Sequence, residues 1–354
     1  MKAIIIDTFV TDLSTLHPTT APLPKLWSPT DVLIRITHAS ITHVDTLYAR
    51  GQHQNNRRHA IPPFTLGLEF SGIVAQSPAF SAYRPGDRVF GSALGAYAEY
   101  IAVPEALLRR VPRGWGLREA CALGASGCVA VASLVGERGA GVRAGESVLV
   151  LGAAGGLGVV ACQVAKAAEA RVIGVVGSAE KERVVRGLGV DVVRYDTPGW
   201  EEGVRVLTRG EGNEEGGVDV VYDPVGNVES SLRCIKYGGR VLVIGYAGRH
   251  GVMEKIPANK ILLKSAKVIG YRWGEHGRRF PHEAERVWDK VVEIAEKGEV
   301  KAVVYDEEYK GLESVPRAMH DVEANRVWGR AVITIADEGE VLEEMKASNG
   351  KAKL

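Results

Sequence analysis

SVLVLGAAGGLGVVACQVAKAAEARVIGVV, residues 147–176, is the stretch that decides the fold of this chain of 354 residues. Val148 to Leu151 form a β-prone apolar run, as expected for a strand buried on both faces. The turn GAAGGLG follows at residues 152–158, and small and apolar residues then recur at helical spacing. A second apolar run at 171–176 completes a strand–turn–helix–strand unit. This order predicts a dinucleotide-binding βαβ unit, with Ala153 in place of the first glycine of G-x-G-x-x-G.

Each small residue of the turn has a predicted task. We expect Ala153 and Ala154 to make the tight turn and Gly155 to let the backbone approach a pyrophosphate. Gly158 would let the helix pack close to the strand, and the helix N-terminus would attract the phosphates. An ordinary buried strand–helix turn is the alternative. The predicted cofactor-binding turn therefore comprises Ala153, Ala154, Gly155, Gly156, Leu157 and Gly158.

The end of the second strand indicates which nicotinamide cofactor is bound. An NAD site usually places Asp or Glu about 20 residues beyond the glycines. Here the strand ends Val175-Val176-Gly177-Ser178, with no acid, and Lys181 and Arg183 follow. A hydroxyl and a cation favour a 2′-phosphate, so the sequence predicts NADPH rather than NADH. Alternatively, Ser178 simply caps the next helix and Lys181 is solvated, and both interpretations can hold together.

Composition excludes several function classes. The chain is 45% hydrophobic and 25% charged with a net charge of +1, which gives no reason to expect nucleic acid or an acidic membrane surface as partner. The four cysteines are irregularly spaced, so neither a disulfide framework nor a CxxC zinc site is indicated. The start lacks the features of a signal peptide, and we find no run of 18 apolar residues. These features predict a cytoplasmic, reduced protein.

The predicted secondary structure changes along the chain. The N-terminal third shows short strands with Gly/Pro turns and predicts a barrel-like β domain. Residues 117–137 read as a helix, and beyond residue 147 strands and helices alternate, which predicts a parallel sheet covered by helices. The charged tail, residues 337–354, is expected to be frayed or disordered.

Several segments resemble the medium-chain dehydrogenases/reductases of the zinc-free quinone oxidoreductase (zeta-crystallin-like) and enoyl reductase type. They are GLEFSGIV (67–74), RPGDRVFG (84–91), GAYAEYIAVP (95–104), the dinucleotide unit, GVDVVYDPVG (217–226), GGRVLVIGYAG (238–248) and LLKSAKVIGYRWGEH (262–276). The resemblance implies an α/β fold, a Rossmann doubly wound parallel sheet plus a β-rich GroES-like catalytic domain. It also implies that residues 1–122 together with 268–354 form the catalytic domain and 123–267 the NADPH-binding domain. A cleft between the domains and a homodimer are further expectations.

The same resemblance assigns cofactor contacts outside the glycine turn. Ser178 and Lys181 match the pair that binds the 2′-phosphate, and Tyr195 matches a tyrosine beside the adenosine. Val129 replaces a threonine near the nicotinamide, and Gly245 and Tyr246 would border the nicotinamide ribose. Trp273, in the segment YRWGEH, shapes the substrate cleft or else serves the core or a subunit contact.

Zinc chemistry is not expected. The zinc alcohol dehydrogenases of the superfamily carry Cys and His ligands where this chain has Thr42 and Leu68, so no metal site is predicted. His43 would line the substrate cleft or lie on the surface, and Glu69 is interpreted as structural. Candidate catalytic residues, as proton donors, are Thr42, His43 and Tyr48, with solvent or the nicotinamide ribose hydroxyl as the alternatives.

The sequence thus predicts a zinc-independent, NADPH-dependent reductase that transfers hydride to a quinone or an α,β-unsaturated carbonyl. One alternative is a stand-alone enoyl reductase of a biosynthetic, polyketide-like pathway. Another is a non-catalytic NADPH-binding protein. In each case the expected partner is a small molecule.

Overall fold

The computed structural model describes residues 1–210, 212–249 and 252–351. The chain divides into two compact units. The first comprises Met1–Ala125 and Ala302–Leu354, and the second comprises Ser126–Lys301. Residues 268–301, which the resemblance assigned to the catalytic domain, lie in the second unit because they continue from a strand of its sheet.

The first 134 residues form mostly short strands. In chain order the elements are β1 (Lys2–Ala3), β2 (Ile5–Ile6), β3 (Thr19–Thr20), β4 (Asp31–Ile41), α1 (His43–Ala49), β5 (Phe64–Thr65), β6 (Glu69–Gln76), β7 (Arg88–Ser92), β8 (Tyr100–Pro104), β9 (Leu108–Arg110) and α2 (Leu117–Leu134). Helix α2 ends three residues before the expected end and is broken at Gly124, where φ is 39°. A Cβ at Gly124 would lie 2.7 Å from the carboxyl carbon of Glu69, so glycine is required there.

The middle of the chain alternates strands and helices. The elements are β10 (Ser147–Val150), α3 (Gly156–Ala167), β11 (Arg171–Val176), α4 (Ala179–Gly187), β12 (Asp191–Arg194), α5 (Trp200–Thr208), β13 (Val218–Asp223), α6 (Val228–Cys234), β14 (Ile235–Val243), α7 (Ala258–Leu263), β15 (Lys267–Gly270), α8 (Trp273–Arg279) and α9 (Pro281–Glu296). Within the described residues, the strands form a six-stranded parallel sheet in the order β12-β11-β10-β13-β14-β15. This is the predicted Rossmann sheet, and the prediction is confirmed.

The last part of the chain returns to the first unit. It contains β16 (Tyr309–Lys310), α10 (Val315–Glu323), β17 (Ala331–Thr334) and α11 (Glu338–Lys351). As far as the structure describes the chain, this unit holds a seven-stranded sheet in the order β16-β17-β4-β6-β7-β9, with β8 also paired to β4. β17 runs antiparallel to β4 with Ala331 opposite Ile41, so the two ends of the chain share one sheet. The predicted β-rich GroES-like fold is thereby confirmed.

The prediction of a frayed tail is wrong for residues 338–351, which form α11. Val341 is 1% exposed and packs with Ile73 and Leu117. The Asp337 carboxylate accepts hydrogen bonds from the first backbone N–H groups of the helix. The many charged residues hid this signal, because the apolar positions 341, 342 and 345 suffice for one helical contact face. Residues 352–354 lie outside the described residues.

By length and composition, α2 is the one helix in the described ranges that passes a test for crossing a membrane, with a mean hydropathy of 1.3. Of its 18 residues, 78% are buried inside the protein. A core helix passes the same test, and the burial identifies α2 as one.

Candidate functional site

The glycine-rich turn follows β10 in the second unit. Gly152 has a φ of +58°, a left-handed conformation that glycine adopts without steric cost. The Gly155 N–H donates a hydrogen bond to the Gly152 carbonyl oxygen at 2.9 Å, so Ala153 and Ala154 are the two central residues of the tight turn, as expected. Both alanines are buried, and their small side chains fit there.

The helix after the turn begins as predicted. A Cβ at Gly158 would lie 2.3 Å from the carbonyl oxygen of Gly152, so only glycine allows α3 to pack this closely. Gly155 is the N-cap of α3 and brings no side-chain hydrogen bond. The N–H groups of Gly156, Leu157 and Gly158 have no protein acceptor among the described residues. Unpaired N–H groups at a helix N-terminus form an anion-binding site suited to a pyrophosphate.

Tyr195, directly after β12, reaches the same turn. The backbone N–H of Gly152 donates a hydrogen bond to the Tyr195 hydroxyl at 3.0 Å. The Tyr195 ring also meets Trp200 edge to face, with ring centroids 5.3 Å apart. The sequence placed Tyr195 beside the adenosine but gave no sign of this bond, which joins the ends of two strands.

Ser178 and Lys181 lie at the end of β11. The Ser178 hydroxyl accepts a hydrogen bond from the backbone N–H of Lys181 at 3.3 Å, so Ser178 caps α4, as one interpretation expected. Lys181 is half-buried, and burial lowers its pKa. A hydroxyl and a partly desolvated cation thus both belong to the first turn of α4, and no carboxylate stands between β11 and α4, which suits a phosphate group.

Residues that follow β13 and β14 lie at the carboxyl edge of the sheet, as do those that follow β10, β11 and β12. Asp223 ends β13 and is buried, and its carboxylate accepts hydrogen bonds from the N–H groups of Val225 and Gly226. Burial raises the pKa of Asp223 to about 6. The Asp223 carbonyl in turn accepts from the Gly245 N–H at 3.3 Å. Gly245 and the exposed Tyr246 follow β14, so Asp223 shapes the loops that surround them.

Val129 and Trp273 complete the residues assigned to the second unit. Val129 lies half-buried on α2 with its carbonyl bonded to the Ser133 hydroxyl. Trp273 begins α8, three residues after β15 ends, and is half-buried. Its ring lies nearly parallel to that of His276, with an interplanar angle of 19°.

The candidate proton donors lie on or beside α1 in the first unit. Thr42 is the N-cap of α1 and forms a capping box with Asp45, whose carboxylate accepts from the Thr42 N–H at 2.7 Å. Tyr48 is 5% exposed, and the Asn55 side-chain amide donates to its hydroxyl at 2.6 Å. His43 is half-buried. All three candidates thus lie on the seven-residue helix α1 or at its N-cap. Their catalytic role stays a prediction.

Asp45 itself was missed from the sequence. Its side chain is completely buried, and burial raises its pKa to about 7. Glu69, another buried carboxylate, contributes to the same upward shift. The sequence signal was the capping box, Thr42 followed three residues later by an acid, which indicates a helix start but not burial.

Glu69 belongs to a structural network. Its carboxylate accepts from the Ser40 hydroxyl and the Ala125 N–H, and it pairs with Arg330 at 3.2 Å. These partners agree with the interpretation of Glu69 as structural.

A metal does not fit the residues present. Thr42 and Leu68 lack the ligand atoms that a zinc site needs, and Glu69 is engaged by Arg330. Among the described residues, no three His, Cys, Asp or Glu side chains form a group that could hold a metal ion. Burial raises the pKa of the Cys162 and Cys234 thiols to about 12, so both are protonated near neutral pH.

Two family models match the chain. Residues 28–113 match the alcohol dehydrogenase GroES-like domain, and residues 156–293 match the family described as zinc-binding dehydrogenase. A curated relative, quinone oxidoreductase-like protein 2 of Bos taurus, is 32% identical over 88% of this chain and 87% of its own length.

Solved structures agree in fold. A probable oxidoreductase from Mycobacterium abscessus is 30% identical with a TM-score of 0.80, covering 94% of this chain and 98% of that one. A mycobacterial protein complexed with NADPH is 26% identical with a TM-score of 0.81, covering 94% and 99%. The matched domains, the relatives and the parallel sheet with its glycine turn together show that the chain is an oxidoreductase of the medium-chain dehydrogenase/reductase superfamily, belonging to its quinone oxidoreductase-like proteins.

Proposed function

We propose that this oxidoreductase is an NADPH-dependent, zinc-independent reductase that transfers hydride to a quinone or an α,β-unsaturated carbonyl. NADPH supplies the hydride when bound. Because the donor set suits no metal, the protein contributes binding, orientation and exclusion of water, and the acceptor must already be electrophilic.

The observation that carries the proposal is the end of β11. In place of an acid that would bind a ribose 2′-hydroxyl, the chain has Ser178 at the helix cap and the half-buried Lys181. The uncapped start of α3 supplies N–H groups for the pyrophosphate. A mycobacterial relative of the same fold was solved with NADPH, which supports the choice of cofactor.

The test of the cofactor compares Lys181→Ala with the wild type. A charge-assisted hydrogen bond contributes about 1.5–3 kcal/mol, so the Kd for NADPH should rise roughly 10- to 100-fold. The Kd for NADH should stay within a factor of about two. Lys290→Ala, which removes an exposed lysine of α9, is the matched control and should change neither. Equal losses for both cofactors in Lys181→Ala would contradict the proposal.

The acceptor is tested with a panel of quinones, enones and enoyl thioesters, followed by NADPH oxidation at 340 nm. Turnover of quinones or simple enones supports the proposal. Turnover of enoyl thioesters alone would indicate the biosynthetic enoyl reductase instead. NADPH binding without oxidation across the panel would indicate a non-catalytic NADPH-binding protein.

We also propose that the protein forms a homodimer through β15. Among the described strands β15 is paired on one side only, with β14. Val268 on β15 is exposed, as are Leu262 and Leu263 just before it. Antiparallel self-pairing about a two-fold axis between Val268 and Ile269 sets Lys267 opposite Gly270, so no lysines face each other.

Light scattering after size-exclusion chromatography tests this pairing. We expect a dimer for the wild type and a monomer for Val268→Lys. Val206→Lys, at another exposed apolar residue on α5, should remain dimeric. A monomeric wild type, or a dimeric Val268→Lys, would contradict the proposal.

A further inference from the structure

The parallel sheet of the second unit assigns an order to the loops at its carboxyl edge. Tyr195 follows β12, Ser178 follows β11, the glycine turn follows β10, and Gly245 follows β14. Trp273 follows β15, the next strand along. Neighbouring strands are about 4.8 Å apart, so β15 lies roughly 15 Å from β10.

This order sets the direction of an extended dinucleotide. In the proposed function, the 2′-phosphate end would lie at β11, the pyrophosphate at the helix that follows β10, and the nicotinamide end over β13 and β14. Residues after β15 are then next to the nicotinamide end, on the side away from the pyrophosphate. This step rests on the proposed function and places Trp273 beside the acceptor.

His276 contacts the Trp273 ring from the same short helix. The two ring centroids are 6.1 Å apart with nearly parallel planes, and Tyr271 and Phe280 lie within 5.3 Å of the imidazole centroid. The His276 side chain is only 10% exposed. An imidazole enclosed by aromatic rings restricts the orientations open to the indole above it.

His276 is itself fixed by residues outside α8. Its Nε2 atom lies 3.2 Å from a carboxylate oxygen of Glu283 on α9. The Glu283 carboxylate also accepts hydrogen bonds from Nε and Nη2 of Arg138, at 3.2 and 3.3 Å. The Arg138 guanidinium covers the ring of Phe280, 4.2 Å from its centroid. A continuous chain of contacts therefore runs from Arg138 through Glu283 and His276 to Trp273.

We propose that His276, held by Glu283 and Arg138, is a positioning residue that sets the orientation of Trp273 and thereby selects planar cyclic quinone acceptors over small aliphatic enones. A fixed indole offers a planar face on which a quinone ring can stack. A small enone has no comparable face, so it gains little from that orientation.

The test uses His276→Ala, Glu283→Gln and a control, Glu275→Gln. Glu275 lies on the same helix and pairs only with Arg278 and Arg279 in the described contacts. In His276→Ala the KM for a bicyclic quinone should rise roughly three- to tenfold, as expected for loss of an aromatic contact. The KM for a small enone, kcat and the Kd for NADPH should change less than about twofold. Glu283→Gln should show a smaller shift of the same kind, and Glu275→Gln none.

Near-ultraviolet circular dichroism tests the indole without turnover. The difference between wild type and Trp273→Phe gives the signal of this one tryptophan. This Trp273 signal should be absent from the spectrum of His276→Ala and present in that of Glu275→Gln. Loss of the quinone preference together with this signal supports the proposal, whereas unchanged KM values or an unchanged signal in a folded His276→Ala would overturn it. If the wild type reduces no acceptor, the proposed function fails, and the dichroism result still decides whether His276 orients Trp273.

Discussion

The Glu69 carboxylate and the Arg330 guanidinium, 261 residues apart in the chain, form an ion pair at 3.2 Å in the interior of the first unit. Both side chains are under 10% exposed. Their pairing joins the start of β6 to the residue before β17, and these two strands lie on opposite sides of β4 in the sheet. The N-terminal and C-terminal parts of the chain thus depend on each other for charge neutralisation.

Arg330→Met should lower the free energy of unfolding by roughly 3–5 kcal/mol, because it leaves the Glu69 charge buried without its cation. Urea denaturation measures this loss. The double variant Glu69→Gln with Arg330→Met should recover part of it, since no buried charge is then left. A single variant within about 1 kcal/mol of the wild type would contradict the expected role of the pair.

Asp45 should make the protein less stable as the pH rises. Its pKa is raised to about 7 by burial, against 3.8 for an ordinary aspartate. Between these values the folded state holds a proton that the unfolded state has released, so stability falls from about pH 4 to pH 7. Asp45→Asn removes this titration and should gain stability relative to the wild type across that interval. If the unfolding free energies of the wild type and of Asp45→Asn changed with pH in parallel, the raised pKa of Asp45 would be disproved.

His38 should act in the opposite direction. Burial lowers its pKa to about 4, from 6.5, and the nearby Arg118 adds to the shift. Between these values the unfolded state binds a proton that the folded state does not, so stability rises from pH 4 to 6.5. His38→Gln should therefore lose this acid sensitivity. The unfolding free energy is measured over the same pH series, and Asp45→Asn is the variant expected to change it in the opposite direction. If the difference from wild type varied with pH in the same direction for both variants, both predictions would be refuted.

Gly158→Ala should weaken NADPH binding and the fold together. The added Cβ would lie 2.3 Å from the Gly152 carbonyl oxygen and push α3 away from the turn. We expect the Kd for NADPH to rise at least tenfold, measured by fluorescence titration, because the helix N–H groups move from their position. Gly187→Ala is the control, since a Cβ there meets nothing within 4 Å. Unchanged binding in Gly158→Ala would show that the turn does not hold the cofactor.

Activity should survive prolonged treatment with a chelator. Thr42 and Leu68 provide no ligand atoms for zinc, and Arg330 engages Glu69. The rate of NADPH oxidation before and after dialysis against the chelator checks this expectation. A loss of rate that added zinc restores would exclude the metal-free mechanism.

Local sequence was sufficient to predict the nucleotide-binding unit. The apolar run at 148–151, the glycines and the helical spacing after them are all contained within 30 residues, and the structure forms the strand, turn and helix there. The tight turn lies where the sequence placed it, because the hydrogen bond from the Gly155 N–H to the Gly152 carbonyl oxygen encloses Ala153 and Ala154. The positive φ of Gly152 was not predicted.

Long-range contacts could not be predicted in the same way. Nothing near Glu69 indicates Arg330, and nothing near Gly152 indicates Tyr195, because each partner arrives from a distant strand. The raised pKa of Asp45 likewise reflects its burial and the charge of Glu69, and Glu69 lies on another part of the first unit. The tail helix was missed since its composition is charged, although three apolar side chains anchor it.

The hydrogen bond from the Gly152 N–H to the Tyr195 hydroxyl has a consequence for how a nucleotide would be received. It fixes the turn to the neighbouring edge of the sheet through the protein's own atoms. The bond therefore holds this end of the turn in place before a nucleotide binds, which reduces the ordering that this part of the site requires on binding. Because less of the binding free energy is then spent on ordering the turn, more of the contribution of the phosphate contacts appears as affinity for the nucleotide.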